Sequence, residues 1–236
     1  MPLIFKEKFQ GDCLFGIWEI SETFEELLSE VHLFPGEREK LFKFRSDARK
    51  VEFLSVRILL KALIGVCGPI VYSDLKKPYL HQSDLRISIS HSKNLTSIML
   101  SNSKKIGIDL EYMSHRISKV QHKFINDDEF ITSEESKQKY HLYIHWCAKE
   151  ALFKICDKQD INRSTCQSCW TKLRRHRVKL ASIRLLGNKC SKCDWQGHWA
   201  GYEFHNHETG HCYIDYVERT GMGEKDGYIK TTIYFV

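Results

Sequence analysis

An α+β fold, laid out as two successive strand-and-helix passages, is what the sequence predicts. Three observations carry it. A short apolar run at 14–18 and apolar–polar alternation at strand period over 106–111 read as strands; apolar residues recur at helical spacing over 46–63 and 140–155; and glycine and proline punctuate the intervals. At 236 residues the chain is long enough for one large domain or two small ones, with a core that needs no covalent staples.

Taken in order, Leu14-Phe15-Gly16-Ile17-Trp18 reads as a strand. A helix follows, capped by Ser21 or Thr23, with Phe24, Leu27, Leu28 and Val31 on one face. Ser46 reads as the cap of a longer helix running to Leu63, whose apolar face holds Val51, Leu54, Ile58 and Leu59. Gly65 and Gly68-Pro69 end it, 70–72 is a short strand, and Lys76-Lys77-Pro78 is a turn. Strands are expected at 86–90 and 97–100, joined by a polar loop containing His91-Ser92-Lys93-Asn94. The second passage opens with the strand at 106–111, continues through helical segments near 124–130 and reaches its longest helix at 140–155. From 177 to 236 the alternation is weaker but predicts several strands.

Hydrophobic residues at 42%, charged residues at 28% and only four prolines exclude a long disordered or low-complexity stretch. A net charge of +6 and a pI near 8.7 favour polyanionic ligands or acidic partners, through an attraction that salt weakens. That class still includes nucleic acid, a phosphorylated cofactor and an acidic protein. The first residues form no basic leader ahead of an apolar run, and Lys61 interrupts the apolar stretch 58–71, so a soluble cytoplasmic protein without a membrane partner is expected. Nine cysteines, odd in number and unevenly spread, then read as reduced thiols, some of them metal ligands.

In an extended Ile108-Asp109-Leu110-Glu111, Asp109 and Glu111 project to one face. Two carboxylates there repel each other unless solvent or a cation compensates, and hard oxygen donors suit Mg²⁺, which binds through few carboxylates plus substrate phosphates. The plain alternative is a solvated polar strand face. In the long helix, Glu150 and Lys154 stand four apart, so a carboxylate can serve a metal while the ammonium serves a neighbouring phosphate; an ordinary i, i+4 ion pair is the alternative. Ser88-Ile89-Ser90-His91-Ser92, with Lys77-Pro78-Tyr79 upstream, offers hydroxyl, imidazole and ammonium donors for phosphate oxygens. A nucleophilic serine is a poor reading, because no Gly-x-Ser-x-Gly elbow surrounds it.

Lys77-Pro78-Tyr79, Ile89-Ser90-His91-Ser92, Gly107-Ile108-Asp109-Leu110-Glu111 and Trp146-Cys147-Ala148-Lys149-Glu150-Ala151, in this order and spacing, resemble the surfactin-synthetase-activating group of 4′-phosphopantetheinyl transferases. The resemblance runs from about Arg45 to Lys154 and includes the helix at 49–57 and the Phe124…Glu129-Phe130 segment.

The resemblance implies two pseudo-symmetric α+β halves, 1–103 and 104–236, with coenzyme A in the cleft between them. It implies that Asp109, Glu111 and Glu150 hold Mg²⁺ with the pyrophosphate of coenzyme A, and that Lys154 contacts a phosphate. Lys77, Ser90 and His91 would contact the nucleotide end and its 3′-phosphate. Arg45, Arg49 and Arg57 are further phosphate candidates, Arg49 foremost. A serine of an acyl or peptidyl carrier protein would attack the β-phosphate, with Glu150 accepting its proton directly or through water, and adenosine 3′,5′-bisphosphate would leave. A monomer is expected from the doubled pattern. Phe124 and Phe130 are assigned either to carrier docking or to the core, the core being preferred.

Beyond Lys154 the sequence departs from the resemblance. Cys166-Gln167-Ser168-Cys169 and Cys190-Ser191-Lys192-Cys193 have the spacing of a zinc ribbon, which four thiolates could close around structural Zn²⁺, within an atypical segment at 166–193. The intervening Lys172-Leu173-Arg174-Arg175-His176-Arg177 is basic. The rival function is therefore an inactive transferase scaffold carrying a nucleic-acid-binding segment; incidental clustering of cysteines is the plainer alternative. Retention of Asp109, Glu111, Glu150 and Lys154 together favours the enzyme and makes nucleic acid the weaker partner.

Overall fold

The computed structural model describes residues 3–9, 12–65, 68–125, 131 and 133–155, and beyond them the strand backbone at 178–184, 198–204, 209–219 and 226–234. These form a mixed α and β structure with antiparallel sheets, divided into two units, Met1–Ile106 and Gly107–Val236.

The first unit opens with β1 (Leu3–Phe9) and β2 (Cys13–Glu19), paired antiparallel. Then come α1 (Phe24–Glu30), α2 (Pro35–Lys43) and α3 (Asp47–Ile64). A small hairpin follows, β3 (Ile70–Tyr72) with β4 (Pro78–Leu80), and finally β5 (Arg86–Ser92) and β6 (Leu95–Ser101). The main sheet has the order β1-β2-β6-β5, antiparallel throughout. Strand alternation sends Trp18, Ile87, Ile98 and Leu100 into one core with Leu54, Leu59, Leu60 and Leu63 of α3. Gly16 of β2 lets α3 approach the sheet closely, since a Cβ there would meet Leu63 Cδ2 at 2.7 Å.

Thr23 caps α1 as expected, in a reciprocal box: its Oγ1 accepts from the Glu26 backbone N–H at 3.3 Å, and Glu26 Oε2 accepts from the Thr23 N–H at 2.8 Å. Ser46 occupies the N-cap of α3, but its side chain makes no capping hydrogen bond; the carbonyl of Ser46 accepts from Lys50 N at 3.1 Å instead. Gly65, at φ +79°, ends α3 in a conformation that a side chain would disfavour.

The expected loop at 91–94 is shorter than the sequence suggests. His91 and Ser92 belong to β5, paired with Thr96 and Leu95, and only Lys93 and Asn94 make the turn. β1 and α2 escape the sequence reading for physical reasons. Residues 4–8 of β1 are exposed, so the strand carries no apolar alternation. The buried positions of α2 are Leu41 and Glu37, a charge where an apolar residue would have marked the face.

Glu37 is buried because it neutralises Arg57 of α3. Its Oε1 accepts from Arg57 Nε at 3.0 Å, from Arg57 Nη2 at 2.9 Å and from the Ile70 backbone N–H at 3.1 Å, while Arg57 Nη1 donates to the Phe53 carbonyl at 2.9 Å. Arg57 is thereby committed to tying α2, α3 and β3 together, which removes it from the phosphate candidates. At the other end of the sheet, Asp12 Oδ2 accepts from Ser101 Oγ and from the backbone N–H groups of Asn102 and Ser103 at 2.9, 2.6 and 2.7 Å. These donors, that of Ser103 foremost, hold its carboxyl at about 2, below the ordinary 3.8.

In the second unit, β7 (Ile106–Tyr112) leads into α4 (Arg116–Val120) and a 3-10 turn at Gln121–Lys123. α4 and this turn occupy 116–123 and Phe124 is in the turn that follows, while 126–130, where most of the expected helical segment falls, lie outside the described residues. The long helix α5 (Glu135–Ile155) begins five residues before its expected start at Tyr140. Four further strands follow: β8 (Val178–Arg184), β9 (His198–Phe204), β10 (Thr209–Arg219) and β11 (Asp226–Tyr234). They build a sheet of order β7-β11-β10-β9-β8, with α5 lying against β11. Among the described residues no helix is long and apolar enough to cross a membrane.

Glu37→Gln is expected to leave the buried Arg57 charge uncompensated and to cost about 3–5 kcal/mol, read from urea denaturation. Because the folded state holds Asp12 ionised, its contribution is complete above the ordinary carboxylate range and fades as pH falls through about 2. The stability gap between the parent and Asp12→Asn should accordingly be flat from about pH 7 to 5 and narrow steadily towards pH 2.

Candidate active site

β7 has the alternation the sequence predicts. Ile108 and Leu110 are fully buried on one face, and Asp109 and Glu111 lie on the other, Asp109 buried at 4% exposure and Glu111 half-buried. A glutamate or aspartate in such a place needs compensation, and α5 supplies it.

Lys154, near the end of α5, donates from Nζ to Asp109 Oδ1 at 2.8 Å and to the Ile108 carbonyl at 2.6 Å. Two turns earlier, Trp146 Nε1 donates to Glu111 Oε1 at 3.2 Å. Residues four apart on a helix share a face, so Trp146, Glu150 and Lys154 form one stripe. Its two ends are bonded to the two carboxylates of β7, which places half-buried Glu150, midway between them, on the face turned to Asp109 and Glu111. The acidic pair and the Glu150–Lys154 pair thus belong to one arrangement. In it Lys154 is tied to Asp109 across elements, beyond its helical spacing from Glu150.

Neighbouring side chains stiffen this arrangement. The Trp146 ring meets Phe124 edge to face, centroids 5.1 Å apart at 75°. Phe124 is itself fully buried, which settles its assignment in favour of the core. Cys147, also fully buried, hydrogen-bonds the Asp109 side chain. Burial, then the charges of Asp109 and Glu111, push its thiol well above the usual range and keep it protonated. Tyr143, one turn before Cys147, accepts from the Ser114 backbone N–H at 2.8 Å and so fixes the chain where it leaves β7.

The donors expected at the nucleotide end sit in the first unit. Arg49 Nη1 lies 2.8 Å from His91 Nε2 and 2.7 Å from Glu52 Oε2, and His91 Nε2 is 3.1 Å from the same Glu52 oxygen. His91 Nε2 can accept from Arg49 or donate to Glu52, but not both at once, so these two contacts are alternatives set by the tautomer. Glu52 is a member of this cluster that sequence reasoning missed, although its place one turn after Arg49 was available as a signal. Ser90 is separated from His91. As successive residues of β5 they face opposite sides of the sheet; Ser90 is buried, and its carbonyl accepts from Ser97 Oγ at 3.2 Å. Lys77 is half-buried in the turn before β4, where its backbone N–H donates to Ser73 Oγ at 3.3 Å. Arg45 has no role that the structure explains.

Among the described residues no three or more His, Cys, Asp or Glu side chains are placed to hold a metal ion by themselves. The oxygen donors are nevertheless of the kind magnesium takes, since that ion keeps several waters and binds through one or two carboxylates together with substrate phosphates. Asp109, Glu111 and Glu150 are the carboxylates that could serve such an ion, and Lys154 already bonds one oxygen of Asp109. Cys166, Cys169, Cys190 and Cys193 lie outside the described residues, as do Glu129 and Phe130.

Residues 105–202 match the family model of the 4′-phosphopantetheinyl transferase superfamily. The match begins at the start of β7 and takes in Asp109, Glu111, Trp146, Glu150 and Lys154. Lys77, Ser90 and His91 precede it. No curated protein matches the chain.

Lys154→Met should strand Asp109 as a buried charge and lower stability on the order of 2 kcal/mol, between the values for exposed and fully buried pairs because the lysine side chain is 28% exposed. Urea denaturation should find much of this loss recovered in the double variant Lys154→Met, Asp109→Asn, whose neutral amide leaves no charge unpaired.

Proposed function

We propose that this protein is a magnesium-dependent 4′-phosphopantetheinyl transferase of the surfactin-synthetase-activating kind, working in the cytoplasm as a monomer. Its substrates are coenzyme A and an acyl or peptidyl carrier protein. The observation that carries the proposal is the acidic face of β7 bonded at both ends to the Trp146–Glu150–Lys154 stripe, within the stretch that matches the superfamily.

Asp109, Glu111 and Glu150 are the residues that would hold Mg²⁺. When bound, the ion supplies charge neutralisation for the pyrophosphate of coenzyme A and for the departing phosphate. Lys154 spends two of its three N–H donors on Asp109 and Ile108, which fixes the carboxylate, and has a third for a phosphate oxygen. Glu150 receives the proton of the carrier serine, directly or through water. The serine oxygen forms a bond to the β-phosphorus as the bond from that phosphorus to the bridging oxygen breaks. Phosphopantetheine remains on the serine, and adenosine 3′,5′-bisphosphate leaves with the bridging oxygen. Arg49, Lys77, Ser90 and His91 are assigned to the nucleotide end. Arg49 of α3, its side chain 52% exposed, and His91 of β5 stand together and contribute side-chain donors.

The expected result of incubating an apo carrier protein with this protein, coenzyme A and Mg²⁺ is a mass gain of one phosphopantetheinyl group on the carrier. Asp109→Ala and Glu150→Ala should each slow the gain by about 100-fold or more, and chelation of Mg²⁺ should stop it. No gain with acyl and peptidyl carriers alike, from folded protein, would overturn the proposal.

A further inference from the structure

Trp146 is a large aromatic on a helix, and burying it for its hydrophobic area alone would be unremarkable. Two contacts distinguish it. Its indole N–H ends on Glu111 Oε1 at 3.2 Å, and its ring is set by the fully buried Phe124, edge to face at 5.1 Å. A glutamate has three side-chain torsions to fix, and an acidic face that must bind a cation repeatedly gains from having them fixed beforehand. Asp109 is held in this way by Lys154 and Cys147. Glu111 is held from the opposite end of the same helical stripe.

We infer that Trp146 is a positioning residue for Glu111: an indole braced by Phe124 that holds one carboxylate oxygen and so presents the other in a fixed direction to a divalent cation. The inference rests on the reading of Asp109, Glu111 and Glu150 as the cation's ligands. An indole N–H is a neutral donor, so it orients the carboxylate while leaving its charge for the cation, unlike an arginine or lysine in the same place.

Binding of Mn²⁺, followed by its electron paramagnetic resonance signal in the presence of coenzyme A and without carrier protein, tests the inference separately from activity. Trp146→Phe keeps a ring against Phe124 and removes the N–H. It should weaken Mn²⁺ binding about 10-fold or more, as loss of a partner that orients a metal-bound carboxylate does. Phe124→Leu, which only loosens the indole, should weaken it less. In a Glu111→Gln background Trp146→Phe should add little, because the carboxylate it orients is gone. Thermal denaturation identifies any variant that fails to fold, and the Phe124→Leu result then decides.

Asp109→Ala separates the two levels. If it abolishes Mn²⁺ binding while folded Trp146→Phe binds like the parent, the carboxylate site stands and the role of Trp146 is overturned. If Asp109→Ala binds like the parent, the site itself is wrong and the inference falls with it.

Discussion

The salt bridge of Lys154 to Asp109 is the constraint on which the acidic face depends. A carboxylate at 4% exposure is untenable alone, and the lysine that compensates it also bonds the Ile108 carbonyl, so charge and strand position are fixed by one group. Because the bond joins the end of α5 to the middle of β7, it sets how far along the strand the helix lies. Trp146 and Glu150 then reach their places by helical geometry alone. Cys147, Tyr143 and Phe124 act on an arrangement already set by that bond.

The first unit uses the same device for a different purpose. Arg57 and Glu37 are buried together, with Ile70 N and the Phe53 carbonyl satisfying further groups of the pair. Here the charges neutralise each other and nothing is left for a ligand. On the face of β7 two carboxylates, Asp109 and Glu111, stand with one bonded ammonium among the described residues, Lys154, and donors of this kind are those a divalent cation takes. Burial of charge thus reads as structural in one unit and as a candidate binding property in the other.

Much of this was legible because period and face coincide. Asp109 and Glu111 stand out in β7 since Ile108 and Leu110 take the inward positions, and α3 was visible through Leu54, Ile58 and Leu59. Elements whose inward residues are not apolar were hidden: α2 turns a glutamate inward, and β1 has no buried stripe. The hydrogen bond of Trp146 to Glu111 was out of reach for another reason. Thirty-five residues separate the partners, and a tryptophan in an amphipathic helix reads as core until its N–H is located. His91 was misplaced in a loop because polar residues dominate 90–94, although strand pairing continues through Ser92.

That extension of β5 gives the turn at Lys93-Asn94 a larger significance than its size suggests. Lys93 adopts φ +51°, a conformation more natural to glycine, and the turn is anchored by Ile20 N donating to the Asn94 carbonyl at 2.7 Å and by Asn94 Nδ2 donating to Glu19 Oε1 at 3.3 Å. Side chains on a strand change face with every residue, so a hairpin one residue longer or shorter would exchange the surroundings of Ser90 and His91. The imidazole would lose Arg49 and Glu52, and a serine would take its place beside them. The two-residue turn therefore works as a ruler: its length, more than its composition, determines which chemistry each face of the strand displays.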